Sequence, residues 1–334
     1  MTKKKRSLEE LRWWHGRNFR KIMYKITIYI LCISIGLFQV LPMIWMVSGS
    51  LKKPVELFRD PPMWIPKSWQ WQNYAEMWTA LKLEDNVTLA LPRYLTNTLV
   101  ITSFVLTGTL LSNTLVAFGF ARLKARGKEI LFLILLITMM LPSHVTWLSV
   151  YIIMSRLPYP ALPQFVWDIV NRMLLAVSNI QLLPPAHPPN WIDTYLPLTV
   201  PSFFAGAGTV FLLRQFFLTV PIELDEAARI DGASTLRIYW SIFLPQAKPV
   251  LASVTILTFI GQWKNYFSPL LYLNTTDLYP IATGIQYFRG FADYATQWHL
   301  LMAAGVVLSI PPFVIFLIFQ RYFVEGMSLT GLKG

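Results

Sequence analysis

Charged residues are scarce in this chain. Asp, Glu, Lys and Arg make up 14% of its 334 residues, where soluble domains carry about 25%. Apolar residues reach 54%, which excludes an ordinary soluble enzyme and points to a polytopic membrane protein. Cysteine is nearly absent: Cys32 stands alone inside the first apolar run, so no intrachain disulfide can form. The four histidines, His15, His144, His187 and His299, show no metal-ligand spacing, and no metal site is expected. There is no Gly-x-x-x-x-Gly-Lys-[Ser/Thr] loop, so the chain does not bind ATP by that route. Neither His-Glu-x-x-His nor Gly-x-Ser-x-Gly occurs. An enzyme therefore has no constellation to rest on, and the energy for any transport must come from a partner or an ion gradient. Ionisable groups at membrane depth, the usual mark of a gradient-driven carrier, are also few.

What is present is a series of long apolar runs, which predicts an all-α integral membrane protein with six transmembrane helices. They cover residues 26–46, 95–120, 130–154, 195–217, 250–273 and 300–323. The first is too long for a signal-peptide core and lacks a small-residue cleavage site. Pro142 inside the third predicts a kink whose freed carbonyl must be met by neighbouring helices. Gly108, Ser112, Asn113 and Thr114 in the second suit close helix packing rather than ligand binding. The resulting organisation is a basic tail over 1–25, a first span with an outer loop over 26–93, a transmembrane domain over 94–323 and a tail over 324–334. Within that domain, 155–193 is apolar enough to suggest a seventh span. Asp168 and Arg172 at its centre would cost roughly 5–7 kcal/mol there, and prolines flank it, so an outer segment lying at the membrane interface fits better.

The net charge of +12 needs no nucleic acid to explain it. Of 29 Lys and Arg residues, 19 fall in the N-terminal tail, the 122–128 loop, the 214–248 region and the C-terminal end. Basic residues collect on the cytoplasmic side. The asymmetry places both termini and the loop after 217 in the cytoplasm of a cell membrane, and a seventh span would reverse that loop.

That loop is a polar island. Glu223, Asp225, Glu226, Arg229, Asp231 and Arg237 cannot lie in hydrocarbon at roughly 2.5–3.5 kcal/mol each. The order predicts a helix, a turn and a second short helix. Pro221 suits a first turn, the acids suit the N-terminal dipole, Gly232 suits a left-handed stop and Ser234 suits a cap.

The run 221–234, with Glu226-Ala227-Ala228, Gly232 and the downstream Ile242 and Leu244-Pro245, resembles the EAA loop of ABC importer permeases. It is most similar to the carbohydrate-uptake, maltose-permease-like branch. The resemblance extends over most of 40–325 and is weakest over 155–193, which the family usually lacks. It implies the type I ABC importer permease fold with a cytoplasmic coupling-helix loop, in a bacterial inner membrane. It also implies a second permease subunit, two ATP-binding subunits that carry the ATP and magnesium, and an extracytoplasmic solute-binding protein. Glu226, Ala227, Ala228, Asp231 and Gly232 match the motif and are expected to couple to the ATPase. The implied cargo is a sugar or oligosaccharide, with a polyol phosphate or acidic glycan as the alternative.

A second candidate set is Trp263-Lys264-Asn265-Tyr266, near the outer end of the fifth run. The resembled permeases carry Asn and an acid where this chain has Lys264 and Asn265. Lys264 reads either as a lysine snorkelling to the interface or as a cation lining the solute path, matched to an acidic or phosphorylated cargo. Trp263, Asn265 and Tyr266 can supply a ring face and hydrogen-bonding groups for a sugar.

Overall fold

A computed structural model describes residues 17–83, 89–157, 190–286 and 297–331. Most of the basic tail and most of the 155–193 segment lie outside the described residues. The described chain is helical, with one isolated antiparallel bridge between Lys82 and Leu89. It divides into two compact units, one of residues 1–74 and 298–306, the other of 75–297 and 307–334.

Four helices among the described residues are long and apolar enough to cross a membrane: Phe19–Ser50, Ala90–Arg122, Leu196–Thr219 and Trp298–Arg321. The pair Thr235–Gln246 and Lys248–Trp263, bent by 76°, is long and apolar enough only when its two halves are taken together. Pro249 explains where it bends, because its ring would clash with the carbonyl four residues back in a continuous helix.

Three of the expected spans are interrupted. The third is broken, not kinked. One helix spans Lys128–Thr138 and another Ser143–Arg156, with Pro142 as the N-cap of the second. The carbonyls freed there are met locally rather than by neighbouring helices: the N–H groups of Met139 and Met140 donate to Leu136 and Ile137, 3.0 Å each. A tightened i→i+3 turn can end a helix in this way without help. The fourth runs through Leu196–Thr199 and a 3₁₀ turn at Val200–Phe203 before resuming at Ala207–Thr219. Asn113 heals that gap, its Oδ1 accepting from the Gly206 N–H at 2.7 Å. Beside it a Cβ on Gly108 would come within 2.5 Å of the Ser202 hydroxyl, so glycine is needed for this approach. The fifth stops at Trp263 and resumes at Phe267–Tyr272. Pro269 forbids the helical bond to Asn265, whose Oδ1 instead accepts from the Ser268 N–H at 3.3 Å.

In the larger unit the Ala90–Arg122 helix is central and packs against Val200–Phe203, Ala207–Thr219, Lys248–Trp263 and Ile281–Gly284. Its C-terminal half enters a core of Ala117, Phe118, Val210, Leu213, Phe217, Tyr239, Phe243 and Val250. Its N-terminal half is held by Asn97, whose amide donates to the carbonyls of Asp277 (2.7 Å) and Tyr279 (3.0 Å). In the smaller unit the outer loop folds back on the end of the first helix. The Asn73 amide donates to Ser50 O at 2.8 Å and Lys52 O at 3.0 Å. Lys52 is fully buried, donates to the Met63 carbonyl and lies 4.1 Å from the centre of the Trp45 ring. Burial pushes its ammonium below the ordinary lysine range, and the Glu56 carboxylate partly restores it.

Candidate functional site

The polar island folds as its residue order dictates. Pro221 is the N-cap of a helix over Ile222–Ile230, with Glu223 and Asp225 in its first turn. The helix ends in a Schellman arrangement. The Gly232 N–H donates to Arg229 O (3.0 Å) and the Ala233 N–H to Ala228 O (2.9 Å), which leaves Gly232 at φ 78°. Ser234 then caps the helix Thr235–Ile238, its hydroxyl accepting from the Arg237 N–H at 3.3 Å. A π-helical turn, Tyr239–Phe243, follows.

Two sides of the loop differ in chemistry. The inner side is anchored: Ala228 and Ala233 pack on the core together with Ile238 and Tyr239. Asp225 is buried and accepts from Arg229 Nε at 3.1 Å, an i, i+4 pair. The outer side carries Glu226, Ala227, Asp231 and Gly232, all exposed. Of the five motif residues, four therefore face outward and Ala228 faces in, so its small side chain serves the loop's own packing.

The outer side also holds apolar residues that motif reasoning passed over. Ile230 is 86% exposed and Leu236 63% exposed, and Ile222 and Leu224 are exposed as well. In a segment too charged for hydrocarbon, such side chains lose contact with water only against another protein. Their signal in the sequence was apolar residues in a charged loop with no core stripe to join.

The second candidate set does not converge on one point. Trp263 is buried, and its indole N–H donates to Leu308 O at 2.9 Å. Asn265 precedes the next helix, its Oδ1 accepting from the Ser268 N–H, and borders a narrow cleft with Thr98, Thr102, Gln262 and Pro280. Thr102 contributes a buried hydroxyl oxygen there that has no hydrogen-bond partner. Lys264 is the C-cap residue of its helix and is exposed, and Tyr266 is exposed beside it. Lys264 thus sits at a helix break and not within a continuous span. Among the described residues it makes no ion pair.

Residues 113–329, about two thirds of the chain, match the family described as "Binding-protein-dependent transport system inner membrane component". The chain is 30% identical over 272 residues to the sn-glycerol-3-phosphate transport system permease protein UgpE of Yersinia pestis bv. Antiqua (strain Antiqua), covering 81% of this chain and 84% of that one. It is 32% identical over 291 residues to the protein of the same name from Rhizobium meliloti (strain 1021), covering 87% and 91%. In structure it is similar to a chain of a bacterial ABC transporter involved in the import of the acidic polysaccharide alginate. The TM-score is 0.68 at 19% sequence identity, over 92% of this chain and 98% of that one.

Proposed function

The chain belongs to the binding-protein-dependent transport system inner membrane components, and from that premise we propose that its 221–238 loop is the cytoplasmic coupling element of an ABC importer. The protein is a transport subunit and not an enzyme. One observation carries the assignment of the loop: its inner side is fixed to the core through Ala228, Ile238 and Tyr239, while its outer side presents Glu226, Asp231, Ile230 and Leu236 to an absent surface. Acids among exposed apolar residues suit a groove with apolar walls and basic rims, the acids making charge-assisted hydrogen bonds. ATP-driven closure of two ATP-binding subunits then moves this loop, and both termini lie on the same cytoplasmic side. A second permease subunit and an extracytoplasmic solute-binding protein complete the assembly. Glu226→Lys is expected to release the ATP-binding subunit in copurification while membrane insertion stays intact. Retention of that subunit at wild-type stoichiometry sinks the assignment.

For the cargo, we infer a polyol- or sugar-like solute that carries negative charge. Both kinds of relative handle anions by name, a glycerol phosphate and an acidic polysaccharide. Lys264 adds an exposed cation at a break in a helix. The neutral oligosaccharide reading rests on Asn265 and Tyr266, since Trp263 is turned inward, and leaves Lys264 only to snorkel. Binding of neutral and anionic candidates to the partner solute-binding protein separates the two. An anion is expected to bind, and Lys264→Asn to slow its uptake by about tenfold, the effect of roughly 1.4 kcal/mol. A neutral cargo, or uptake indifferent to the substitution, overturns the inference.

A further inference from the structure

Residues 114, 118 and 122 lie four apart on the long central helix and so share one face. Each of them grips a segment flanking the polar loop. Arg122, the last residue of the helix, donates through Nη2 to Phe217 O at 2.7 Å and to Val220 O, the final carbonyls before the loop begins. Its guanidinium also lies 4.7 Å from the centre of the Phe243 ring, which follows the loop. One side chain therefore clamps the entry and the exit of the loop together. Four residues earlier, Phe118 packs edge-on or tilted against Phe217, Tyr239 and Phe243, with ring centroids 5.1–6.4 Å apart. Four residues earlier again, the Thr114 hydroxyl meets the Tyr239 hydroxyl at 2.6 Å. Thr114 spends its own proton on the Leu110 carbonyl, so Tyr239 is the donor. Tyr239 and Phe243 open and close the π-helical turn, a local geometry common at functional sites.

The arrangement suits transmission better than mere packing. Carbonyls at a helix C-terminus carry partial negative charge and lack helical partners, and Nη2 of Arg122 holds two of them while its planar guanidinium lies over the Phe243 ring, a stacked contact that a compact ammonium does not reproduce. A shift of the loop must pull the end of the central helix with it unless this clamp opens.

We propose that Thr114, Phe118 and Arg122 form the lever that carries movement of the coupling loop into the membrane-embedded helices, with Arg122 as its positioning residue. The proposal rests on the coupling role assigned to the loop above. Its test uses the complete complex with the ATP-binding subunits and the second permease subunit. Cys32→Ser removes the native thiol, and Leu270→Cys places a reporter on an exposed position beyond the break at 264–266. The readout is the difference in labelling by a fluorescent maleimide between the nucleotide-free complex and the complex trapped with MgATP and vanadate. Arg122→Gln is expected to keep the ATP-binding subunits bound and trapped while the labelling difference falls to less than about a third. Arg122→Lys, which keeps the charge and loses the planar group over Phe243, and Tyr239→Phe, which loses only a hydroxyl, are expected to fall between. They also read the lever if Arg122→Gln does not assemble. A full labelling difference in Arg122→Lys and Tyr239→Phe overturns the lever. Glu226→Lys runs alongside. If it releases the ATP-binding subunits while the Arg122 variants behave as wild type, docking stands and the lever fails. If it retains them, the docking role fails on its own account.

Discussion

Gly232 and Gly127 offer a matched pair for testing the coupling loop. Both sit at φ 78°, and at both a Cβ would meet nothing within 4 Å. Replacing either with alanine therefore adds no clash, and the cost is confined to the backbone. A left-handed residue other than glycine costs about 1–2 kcal/mol, offset by about 0.4–1 kcal/mol from the stiffer unfolded chain. The net strain is about 1 kcal/mol at each site and lowers the native turn's population by about fivefold relative to its alternatives. At Gly232 that turn sets the angle between the Ile222–Ile230 and Thr235–Ile238 helices, so the ratio of docking-competent to other conformers falls by the same factor and the apparent affinity by at most that factor. At Gly127 the turn only leads into the Lys128–Thr138 helix. Titrating the ATP-binding subunit against the reconstituted permease pair measures the difference. Gly232→Ala is expected to weaken binding about two- to fivefold and Gly127→Ala not measurably. Equal effects of the two substitutions, or none at Gly232, would refute the claim that this turn orients a docking surface.

Ile230→Glu replaces the most exposed apolar side chain on the loop. It should weaken ATPase-subunit binding about ten- to a hundredfold, a cost of about 1.5–3 kcal/mol, and leave the melting temperature of the permease unchanged. Asp193 holds φ 62° while its carboxylate accepts from the backbone N–H groups of Asn274 and Thr275, 2.8 Å each, and from the Thr275 hydroxyl. Asp193→Ala removes three bonds and keeps the strain, so about 2–4 kcal/mol of local stability is expected to go, read as faster proteolysis near 274–277. Arg214 donates to Glu129 at 3.2 Å, to Phe120 O at 3.4 Å, and stacks 4.1 Å from the Phe132 ring centre. Glu129→Gln, at an exposed partner, should cost under about 1 kcal/mol. Arg214→Ala loses all three contacts and should cost about 2 kcal/mol more in thermal unfolding of the detergent-solubilised protein.

Chemistry that depends on near neighbours in the chain was legible in advance. The cap at Ser234, the stop at Gly232 and the acids in the first turn follow from residues within one helical turn of each other, and local hydrogen bonding decides them. The interruptions were harder to read. Apolar composition over 130–154, 195–217 and 250–273 is the same whether a helix is continuous or broken, so hydropathy reports membrane depth and not helix continuity. The prolines marked each break, but whether a proline kinks or severs depends on what meets the freed groups. At Gly206 the answer was Asn113, 93 residues away in the chain.

By itself the sequence determined that this is a polytopic membrane protein, that a charged loop interrupts its spans, and which residues turn that loop. Composition and local spacing suffice for those statements because transfer energies and capping bonds are local quantities. Only the tertiary structure decided which side of the loop is free. Ala227 and Ala228 are identical in type and adjacent, yet one is exposed and the other packs on the core. The tertiary structure also turned Trp263 inward to Leu308 and left Lys264 outside. It joined Arg122 to the carbonyls of Phe217 and Val220 as well. The physical reason is the same in each case: a side chain's partner is set by which helices meet, and that depends on packing between segments far apart in the chain.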